Sequence, residues 1–402
     1  VRKFGYEEYD APLIEPIEIY KAKSGEEIVS EQTYSFIDRG GREVAIRPEM
    51  TPSVSRMVAS KRQQLGYPLR WFSIPNLWRY ERPQRGRFRE HWQLNVDLFG
   101  VKSTAAELEL MLVADNIFKA FGASGKMYAF RINHRQLLDD LFTLELGLSK
   151  TQSNKVAHLI DRRSKIDHSA FLAQLDNLLT PAQKEKSAAE KLLQILEIKQ
   201  LSDLPDKLNT SDAAQEVNQL LNACKRHGLN NVIFDISLVR GFDYYSGIVF
   251  ELYDNDPDNK RAMLGGGRYD GLVGMFGVEP VPTAGFGLGD ATLVNFLTNH
   301  HLLPELTNSV DLFVAQIGEG DAQDGAMQAA STLRELGLNV AVDYSGRKLG
   351  DQIKSAQKKS IRYVLIVGPK EVQTQKFTLR DINESKESSL DLKQIADKLK
   401  GK

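Results

Sequence analysis

The sequence has little cysteine and no long apolar run. Cys224 is its single cysteine, which excludes an intramolecular disulfide and a zinc site built from cysteines, and fits a reducing cytoplasm. No stretch approaches the roughly 18 consecutive apolar residues of a membrane-spanning helix, so an integral membrane protein of that type is excluded. The 7 histidines show no HxxxH or HExxH spacing, and we predict no metal site held by protein side chains.

Net charge is also nearly absent. The chain has 52 Lys+Arg against 53 Asp+Glu, a formal charge of −1, so a polyanion has to be bound by local basic patches. Apolar residues at 42% and charged residues at 26% are typical of globular proteins. The 402 residues suffice for two to four domains. The chain opens at Val1 in a segment typical of the middle of a domain, so we expect further residues upstream.

Changes of pattern along the chain divide it into four segments. Residues 1–145 mix short β-rich runs with two helical stretches, joined by turns that carry Gly or Pro, which predicts an α+β domain with antiparallel strands. Residues 146–228 repeat apolar residues at helical spacing and predict a helical insertion. Strand character returns over 229–300, where the first domain is expected to resume. Residues 310–402 alternate β and α patterns and predict a small α/β domain with a mainly parallel sheet.

The most unusual stretch is an arginine-rich turn at residues 79–89. It places five arginines in eleven residues around a Pro/Gly turn between two strand-like runs. A guanidinium fork can bind phosphate oxygens two at a time, and Phe88 can stack on a base, so the stretch predicts a polyanion clamp. A solvated basic hairpin tip is the alternative, and arginine density alone leaves it open.

Polar residues also alternate along the strand that follows. Gln93, Asn95 and Asp97 share one face of a predicted strand, and apolar residues occupy the other face. That polar face either meets solvent or forms the floor of a polar pocket, and the spacing does not decide between them. Glu49, at a strand-to-helix junction, either caps the helix or receives a ligand's ammonium group.

Three later segments combine glycine with unusual neighbours. Residues 238–247 carry Arg240, followed by Asp243 and two tyrosines between Gly241 and Gly247, although a β-turn with packed tyrosines explains them equally well. Residues 265–271 and 285–290 are rich in glycine, which permits the backbone to approach a ligand closely. Neither segment matches the P-loop or the dinucleotide-binding fingerprint.

Together these segments resemble the histidyl-tRNA synthetases, a family of class II aminoacyl-tRNA synthetases. Residues 5–18 resemble the first class-defining motif, residues 79–100 the second, and residues 238–251 and 265–272 the two histidine-specific signatures. The resemblance implies an α+β catalytic domain with an antiparallel sheet in two parts (1–145 and 229–300), the helical insertion, and a C-terminal α/β anticodon-binding domain over 310–402. It further implies a cytoplasmic homodimer.

The family's reaction joins histidine to its tRNA. ATP and Mg²⁺ first convert histidine to histidyl-adenylate, and the histidine then passes to the terminal adenosine of the histidine tRNA. By resemblance, Arg79 and Arg240 are the catalytic residues and act on the α-phosphate of ATP. Glu81 and Arg87 are implied to bind the rest of the nucleotide, with phosphoryl chemistry that depends mainly on positioning and charge.

The resemblance also assigns residues to histidine and to tRNA. The implied contacts to histidine are Arg79 and Arg240 near its carboxylate and the reacting phosphate, Glu49, Thr51, Gln93 and Asp97 at its ammonium group, and Tyr245 and Tyr269 at its imidazole. The implied contacts to the acceptor end of tRNA are Arg82, Gln84 and Arg89.

Two positions depart from the family's pattern. Asp97 stands where we expect Glu, which shortens the carboxylate's reach by one methylene. Thr292 stands where the third class-defining motif usually ends in an arginine that binds the γ-phosphate. Either another cation binds the pyrophosphate end, for which Arg268 is the nearest candidate, or ATP use is impaired.

Because that arginine is missing, two alternative functions stay open. One is a regulatory subunit that resembles the partner of ATP phosphoribosyltransferase and binds histidine without activating it. The intact segment 240–245 and the predicted C-terminal domain argue against it. The other is a generic nucleotide-binding module, which is favoured less than the regulatory subunit.

Overall fold

A computed structural model describes residues 1–21, 32–82, 88–163, 166–239, 244–305 and 308–401. The chain divides into two compact units, Val1–Leu303 and Pro304–Lys402. None of the helices that the structure describes has the length and apolar character needed to cross a membrane.

The first part of the larger unit is mainly strands, with two long helices. Its strands are β1 (Glu7–Glu8), β2 (Ile14–Pro16), β3 (Ser35–Ile37), β4 (Glu43–Ile46), β5 (Leu69–Ser73), β6 (Asn76–Trp78), β7 (Glu90–Phe99) and β8 (Tyr128–His134). Its helices are α1 (Glu18–Lys21), α2 (Thr51–Lys61), α3 (Ala105–Ala120) and α4 (Arg135–Asp140). Pro52 lies in the first turn of α2, where its missing N–H costs no helical hydrogen bond.

Helices alone follow over the next segment. They are α5 (Lys150–Asp161), α6 (His168–Leu178), α7 (Pro181–Glu185), α8 (Ala188–Leu196), α9 (Asp206–Asn209) and α10 (Asp212–Arg226). Capping boxes begin two of them, Ser149 with Gln152 at α5 and Thr180 with Gln183 at α7. The apolar residues at helical spacing, such as Val156 on α5, are buried in the core of the larger unit.

The chain then returns to strands. These are β9 (Val232–Phe234), β10 (Ile248–Asp254), β11 (Ala262–Arg268) and β12 (Thr283–Gly289), followed by α11 (Asp290–Asn299). They complete a nine-stranded sheet in the order β1-β5-β7-β12-β11-β10-β8-β9, in which β6 also pairs with β7. The sheet is antiparallel except at its two outer pairs, β1 with β5 and β8 with β9, which are parallel. A smaller sheet has the order β2-β4-β3.

One face of the nine-stranded sheet packs on the apolar core. Helix α3 lies against it and buries Leu110 and Phe118, which are in the same cluster as Val96 of β7, Phe250 of β10 and Phe286 of β12. Since side chains alternate between the two faces of a strand, the residues between these apolar ones project from the opposite face.

The smaller unit is an α/β domain. Its elements are β13 (Leu312–Gln316), α12 (Asp321–Glu335), β14 (Val340–Val342), α13 (Leu349–Lys358), β15 (Tyr363–Val367), α14 (Pro369–Thr374), β16 (Phe377–Asp381), β17 (Lys386–Leu390) and α15 (Leu392–Lys400). The strand order is β14-β13-β15-β16-β17. The first three strands are parallel, as predicted, and β16 and β17 add an antiparallel edge.

A buried ion pair joins the end of β11 to α3 on the core side. Arg268 donates from Nε and Nη2 to the two carboxylate oxygens of Glu107, at 2.7 and 2.8 Å. Its remaining donors reach the carbonyl oxygens of Val101 (3.0 Å) and Ser103 (2.9 Å), and Asp270 at 3.3 Å. Glu107 is fully buried. Every donor group of this guanidinium therefore has an acceptor within the protein.

We predict that Glu107→Ala lowers the free energy of unfolding of the larger unit by about 3–5 kcal/mol, because it leaves the Arg268 charge buried and unpaired. Urea-induced unfolding of the full chain measures this. The control is Asp176→Ala, which removes the exposed Lys184–Asp176 pair (2.7 Å) and is expected to cost less than about 1 kcal/mol. Equal costs for the two variants would contradict the structural role of the buried pair.

Candidate active site

The free face of the nine-stranded sheet has five glycines at its centre. They are Gly265 and Gly267 of β11 and Gly285, Gly287 and Gly289 of β12. The last three pair with Asp97, Asn95 and Gln93 of β7, respectively. Residues paired directly across antiparallel strands project to the same side, so the polar face predicted from the sequence lies beside a floor of glycines.

These glycines are required by the close approach of neighbouring side chains. A Cβ atom at Gly285 would lie 2.5 Å from Asp97 Oδ1 and would overlap the hydroxyl of Tyr269. A Cβ at Gly267 would lie 2.8 Å from the ring of Tyr245, and one at Gly287 would overlap the amide of Gln93. Because real Cβ atoms do not come this close, the floor lets polar side chains lie flat against the backbone.

A cavity of about 230 Å³ opens over one end of this floor. Among the residues that the structure describes, its walls combine one arginine with several carboxylates and aromatic rings. The functional groups that line it are Arg79, Glu81, Phe88, His91, Gln93, Glu251, Asp290 and Thr292. The structure thus brings together three of the residues predicted for the substrates, Arg79, Glu81 and Gln93.

Backbone contacts hold Arg79 in this wall. Its Nε donates to the carbonyl oxygen of Pro48 at 2.9 Å, and its backbone N–H donates to the carbonyl oxygen of Arg89 at 2.9 Å. The first contact ties the guanidinium to the segment just before Glu49. A cation fixed in this way meets an anionic ligand without first losing its own conformational freedom.

His91 lines the same cavity, and the sequence analysis missed it. Burial, followed by the charge of Arg79, lowers the pKa of His91 to about 4, so its imidazole is neutral at neutral pH. The available signal was strand parity, since His91 lies on the face that it shares with Gln93, Asn95 and Asp97. The polar face of β7 thus begins at His91, two residues before Gln93, where it was predicted to begin.

A cluster of tyrosines covers the other end of the glycine floor. The ring of Tyr244 lies 4.9 Å from that of Tyr245 and 5.5 Å from that of Tyr269, between centroids. Tyr269 donates a short hydrogen bond to Asp97 Oδ1, and Tyr244 donates to Glu49 Oε2 at 3.3 Å. Four predicted histidine contacts, Glu49, Asp97, Tyr245 and Tyr269, therefore lie in one cluster.

Asp97 is buried at the centre of these contacts, with 2% of its surface exposed. Burial raises the pKa of its carboxyl to about 7, against the opposing effect of hydrogen bonds from Tyr269 and Tyr9. Burial and the neighbouring Asp97 charge raise the pKa of Tyr269 well above its ordinary value, so Tyr269 stays a donor. The carboxyl of Asp97 is therefore balanced between its charged and neutral forms near neutral pH.

At the end of the third motif, Thr292 has a structural contact in place of the charge that an arginine would bring. Thr292 lies in the first turn of α11, and its hydroxyl donates to the carbonyl oxygens of Gly289 (3.0 Å) and Met263 (3.1 Å). The side chain joins α11 to the start of β11 and brings no charge to the cavity.

The prediction that Arg268 replaces this missing charge was wrong. Arg268 pairs with Ala284 and projects to the core side of the sheet, where Glu107 binds it. Tyr269, the next residue, projects to the free face and reaches Asp97. The pleat of the strand thus separates two neighbours in sequence onto opposite faces.

Three further predicted residues, Thr51, Arg82 and Arg89, are described by the structure but do not line the cavity. Thr51 is the first residue of α2 and is half-buried. Arg82 is exposed, and the guanidinium of Arg89 stacks on the ring of Tyr80 at 4.3 Å. Three other predicted residues, Gln84, Arg87 and Arg240, lie outside the part of the chain that the structure describes.

Comparison with known proteins identifies the family. A family model described as histidyl-tRNA synthetase matches residues 1–293, and a model of an anticodon binding domain matches residues 311–402. The chain belongs to the histidyl-tRNA synthetase family. The predicted family and its fold class, an α+β domain with a helical insertion and a C-terminal α/β domain, are thereby confirmed.

Individual histidyl-tRNA synthetases are similar over nearly the whole chain. The histidine–tRNA ligase of Leptospira biflexa is 43% identical over 403 residues, which cover 100% of this chain and 91% of the relative. That of Haloarcula marismortui is 36% identical over 395 residues, 97% of this chain and 89% of the relative. A crystal structure of histidyl-tRNA synthetase from Nostoc sp. PCC 7120 shares the fold, with a TM-score of 0.80 at 22% identity over 100% of this chain and 92% of that one.

We predict that Gly287→Ala weakens the binding of histidine about 10- to 100-fold, because the added methyl group displaces the Gln93 amide and with it the hydrogen bond that the resemblance implies between Gln93 and the histidine ammonium group. The clash involves the flexible end of Gln93, so the fold is expected to survive. Isothermal titration with histidine measures the change.

The matched control is Gly271→Ala, since a Cβ atom at Gly271 would meet nothing within 4 Å. Its affinity for histidine is expected to equal that of the unmodified chain. Unaltered binding by Gly287→Ala would show that histidine does not depend on the position of Gln93.

Proposed function

We propose that this chain attaches histidine to its tRNA in an ATP-dependent reaction that passes through histidyl-adenylate. One observation carries the proposal: the Arg79 cavity and the tyrosine cluster share a single floor of glycines. Gln93 lines the cavity, and its Nε2 donates to Asn95 Oδ1 at 2.7 Å, next to Asp97 on the same strand face. A ligand over Gly287 can therefore meet the cation on one side and the tyrosine–carboxylate cluster on the other.

This arrangement suits adenylate formation. The histidine carboxylate attacks the α-phosphorus of ATP, a new P–O bond forms, and the bond to the bridging oxygen breaks as pyrophosphate leaves. Such a reaction needs aligned reactants and neutralised charge more than a protein nucleophile. Arg79, tied to Pro48, supplies a fixed positive charge at this position. We assign the second charge to Arg240.

The second step uses the same positions. A ribose hydroxyl of the terminal adenosine of tRNA attacks the histidyl carbonyl and forms an ester bond. AMP leaves with the electron pair of the broken mixed anhydride, and its phosphate takes up the proton of the hydroxyl. Arg79 remains beside the departing phosphate. The acceptor end of tRNA is proposed to contact Arg82, Gln84 and Arg89, which are close in sequence to the cavity residues Glu81 and Phe88. Arginines bind phosphates by charge-assisted hydrogen bonds.

Histidine is proposed to lie with its imidazole at the tyrosine cluster. Tyr245 and Tyr269 are proposed to contact the ring. The hydrogen bond from Tyr269 to Asp97 supports a position for the Asp97 carboxyl beside the imidazole as well. Glu49, Thr51, Gln93 and Asp97 are proposed to receive the ammonium group. A buried carboxyl with a pKa of about 7 can accept from or donate to a ring nitrogen. A pocket of this kind rejects an apolar side chain, because its own polar groups would lose their partners.

The nucleotide is proposed to occupy the cavity. Phe88 offers a ring to the base, and Glu81 and Arg87 bind the remainder of the ATP. The carboxylates of Glu81, Glu251 and Asp290 line this cavity and carry the oxygen atoms that Mg²⁺ prefers. No three acidic or histidine side chains among the described residues are placed to hold a metal ion by themselves, so the ion is proposed to arrive with ATP and to be held mainly by its phosphates. Such an ion neutralises part of the negative charge of the phosphates. The chain itself supplies less positive charge here, because Thr292 stands in place of an arginine.

The smaller unit is proposed to bind the anticodon. Five exposed cations lie in and around α13, namely Arg347, Lys348, Lys354, Lys358 and Lys359, and they can neutralise RNA phosphates. We further propose a cytoplasmic homodimer. Exposed apolar residues of the small sheet and of the segment before β2, among them Leu13, Phe36 and Ile37, are 43–64% exposed and support a subunit contact.

The proposed function predicts that the chain exchanges labelled pyrophosphate into ATP only when histidine is present, because the adenylate forms reversibly from the two. Other amino acids, glutamine and phenylalanine among them, serve as controls. Exchange with one of these, or none with histidine, would contradict the proposal. Histidine binding without any exchange would favour a regulatory subunit instead.

A further inference from the structure

We infer that Tyr9 is a positioning residue for histidine selection, acting through the carboxylate of Asp97. The inference rests on the proposed function and adds a residue to it. Tyr9 follows β1 directly, and its backbone N–H donates to the carbonyl oxygen of Phe72 at 2.9 Å, which extends the pairing of β1 with β5. The backbone of this residue is thus fixed to the sheet that carries the site.

The ring of Tyr9 lies over a neighbour of Asp97. Its centroid is 5.6 Å from that of Trp71, with 30° between the ring planes. Trp71 pairs with Asp97 across β5 and β7. Packing on Trp71 therefore directs the phenol of Tyr9 toward the free face of the sheet at the level of Asp97.

The two oxygens of Asp97 receive hydroxyls from opposite directions. Tyr269, just after β11, donates to Oδ1, and Tyr9 donates to Oδ2 at 3.5 Å. Gly285, on the adjacent strand, contributes no side chain. An aspartate has a short side chain, and a donor on each oxygen restricts its carboxylate to one orientation. Tyr9 makes the longer of these two contacts, and together with Tyr269 it orients the carboxylate of Asp97 toward a ligand.

Several other ionisable groups surround this pair. Tyr244 and Tyr245 pack on Tyr269 from the segment before β10. Burial and the Asp97 charge raise the pKa of Tyr9 well above its usual range, and the charge of Arg47 opposes that rise. Glu49 lies beyond Tyr244, which donates to it. The hydrogen bonds from Tyr244 to Glu49 and from Tyr269 to Asp97 do not involve the Tyr9 hydroxyl.

Removing the Tyr9 hydroxyl has a definite effect on Asp97. The hydrogen bond favours the charged carboxylate, so its loss raises the pKa of Asp97 further above its present value of about 7. In Tyr9→Phe a higher pH is then needed to ionise Asp97. We expect the acid limb of the pH profile of kcat/KM for histidine to move up by about 0.5–1 pH unit, since the bond is a long one to a charged group.

The test is histidine-dependent pyrophosphate exchange by Tyr9→Phe from mildly acidic to mildly alkaline pH. Tyr6→Phe is the matched control. Tyr6 lies three residues earlier, and its hydroxyl donates to Glu109 at 2.9 Å from within the core on the other face of the sheet. It removes the same atom from the same segment without touching Asp97.

We expect Tyr9→Phe to shift the acid limb and to raise KM for histidine severalfold at neutral pH, with KM for ATP unchanged. Tyr6→Phe is expected to leave the profile in place. An unshifted profile for Tyr9→Phe, or equal shifts for the two variants, would overturn the inference. Equal shifts would mean a general effect of a lost buried hydroxyl.

A second measurement does not depend on activity. The pKa of Asp97 can be followed by ¹³C NMR of the carboxyl carbon in the full chain, with Asp97→Asn to assign the signal. Tyr9→Phe is expected to raise this pKa, and an unchanged value would overturn the inference. If the unmodified chain lacks histidine-dependent exchange, the proposed function fails, while this titration still decides the role of Tyr9.

Discussion

The absence of Cβ atoms along the free face of β11 and β12 is the constraint on which the site depends. Side chains at Gly267, Gly285 and Gly287 would occupy the positions now held by Tyr245, Tyr269 and Gln93. With glycine there, polar groups from β7 and from the segment after β11 meet directly over the sheet. The floor is rigid because both strands lie in the middle of nine, paired on each side, so the groups above it are held in place before a ligand arrives.

The two faces of this sheet handle charge differently. On the core face, Arg268 and Glu107 neutralise each other among apolar side chains. On the free face, Arg79 stands in an open cavity, and Asp97 is kept close to its protonation midpoint by burial and tyrosine hydroxyls. Arg268, in the pair that stabilises the fold, and Tyr269, which reaches Asp97 on the free face, are consecutive residues.

Local patterns in the sequence predicted much of this. Strand parity predicted the common face of Gln93, Asn95 and Asp97, and the glycine-rich segments predicted a close backbone approach. Contacts between distant residues were not predictable in this way. Arg268 has its partner Glu107 161 residues away, and nothing local marks that residue as an arginine's acceptor. Tyr9 was missed because its neighbours Trp71 and Asp97 are set by strand order, whereas strand parity could have marked His91.

The most direct measurement is a crystal structure of the chain with histidine and a non-hydrolysable ATP analogue. We expect the phosphates over Gly265 and Gly287 beside Arg79, and the imidazole between Tyr245 and Tyr269, within hydrogen-bond reach of Asp97. Histidine bound away from this glycine floor, or phosphates bound on the Arg268 face of the sheet, would contradict the assignment of the site.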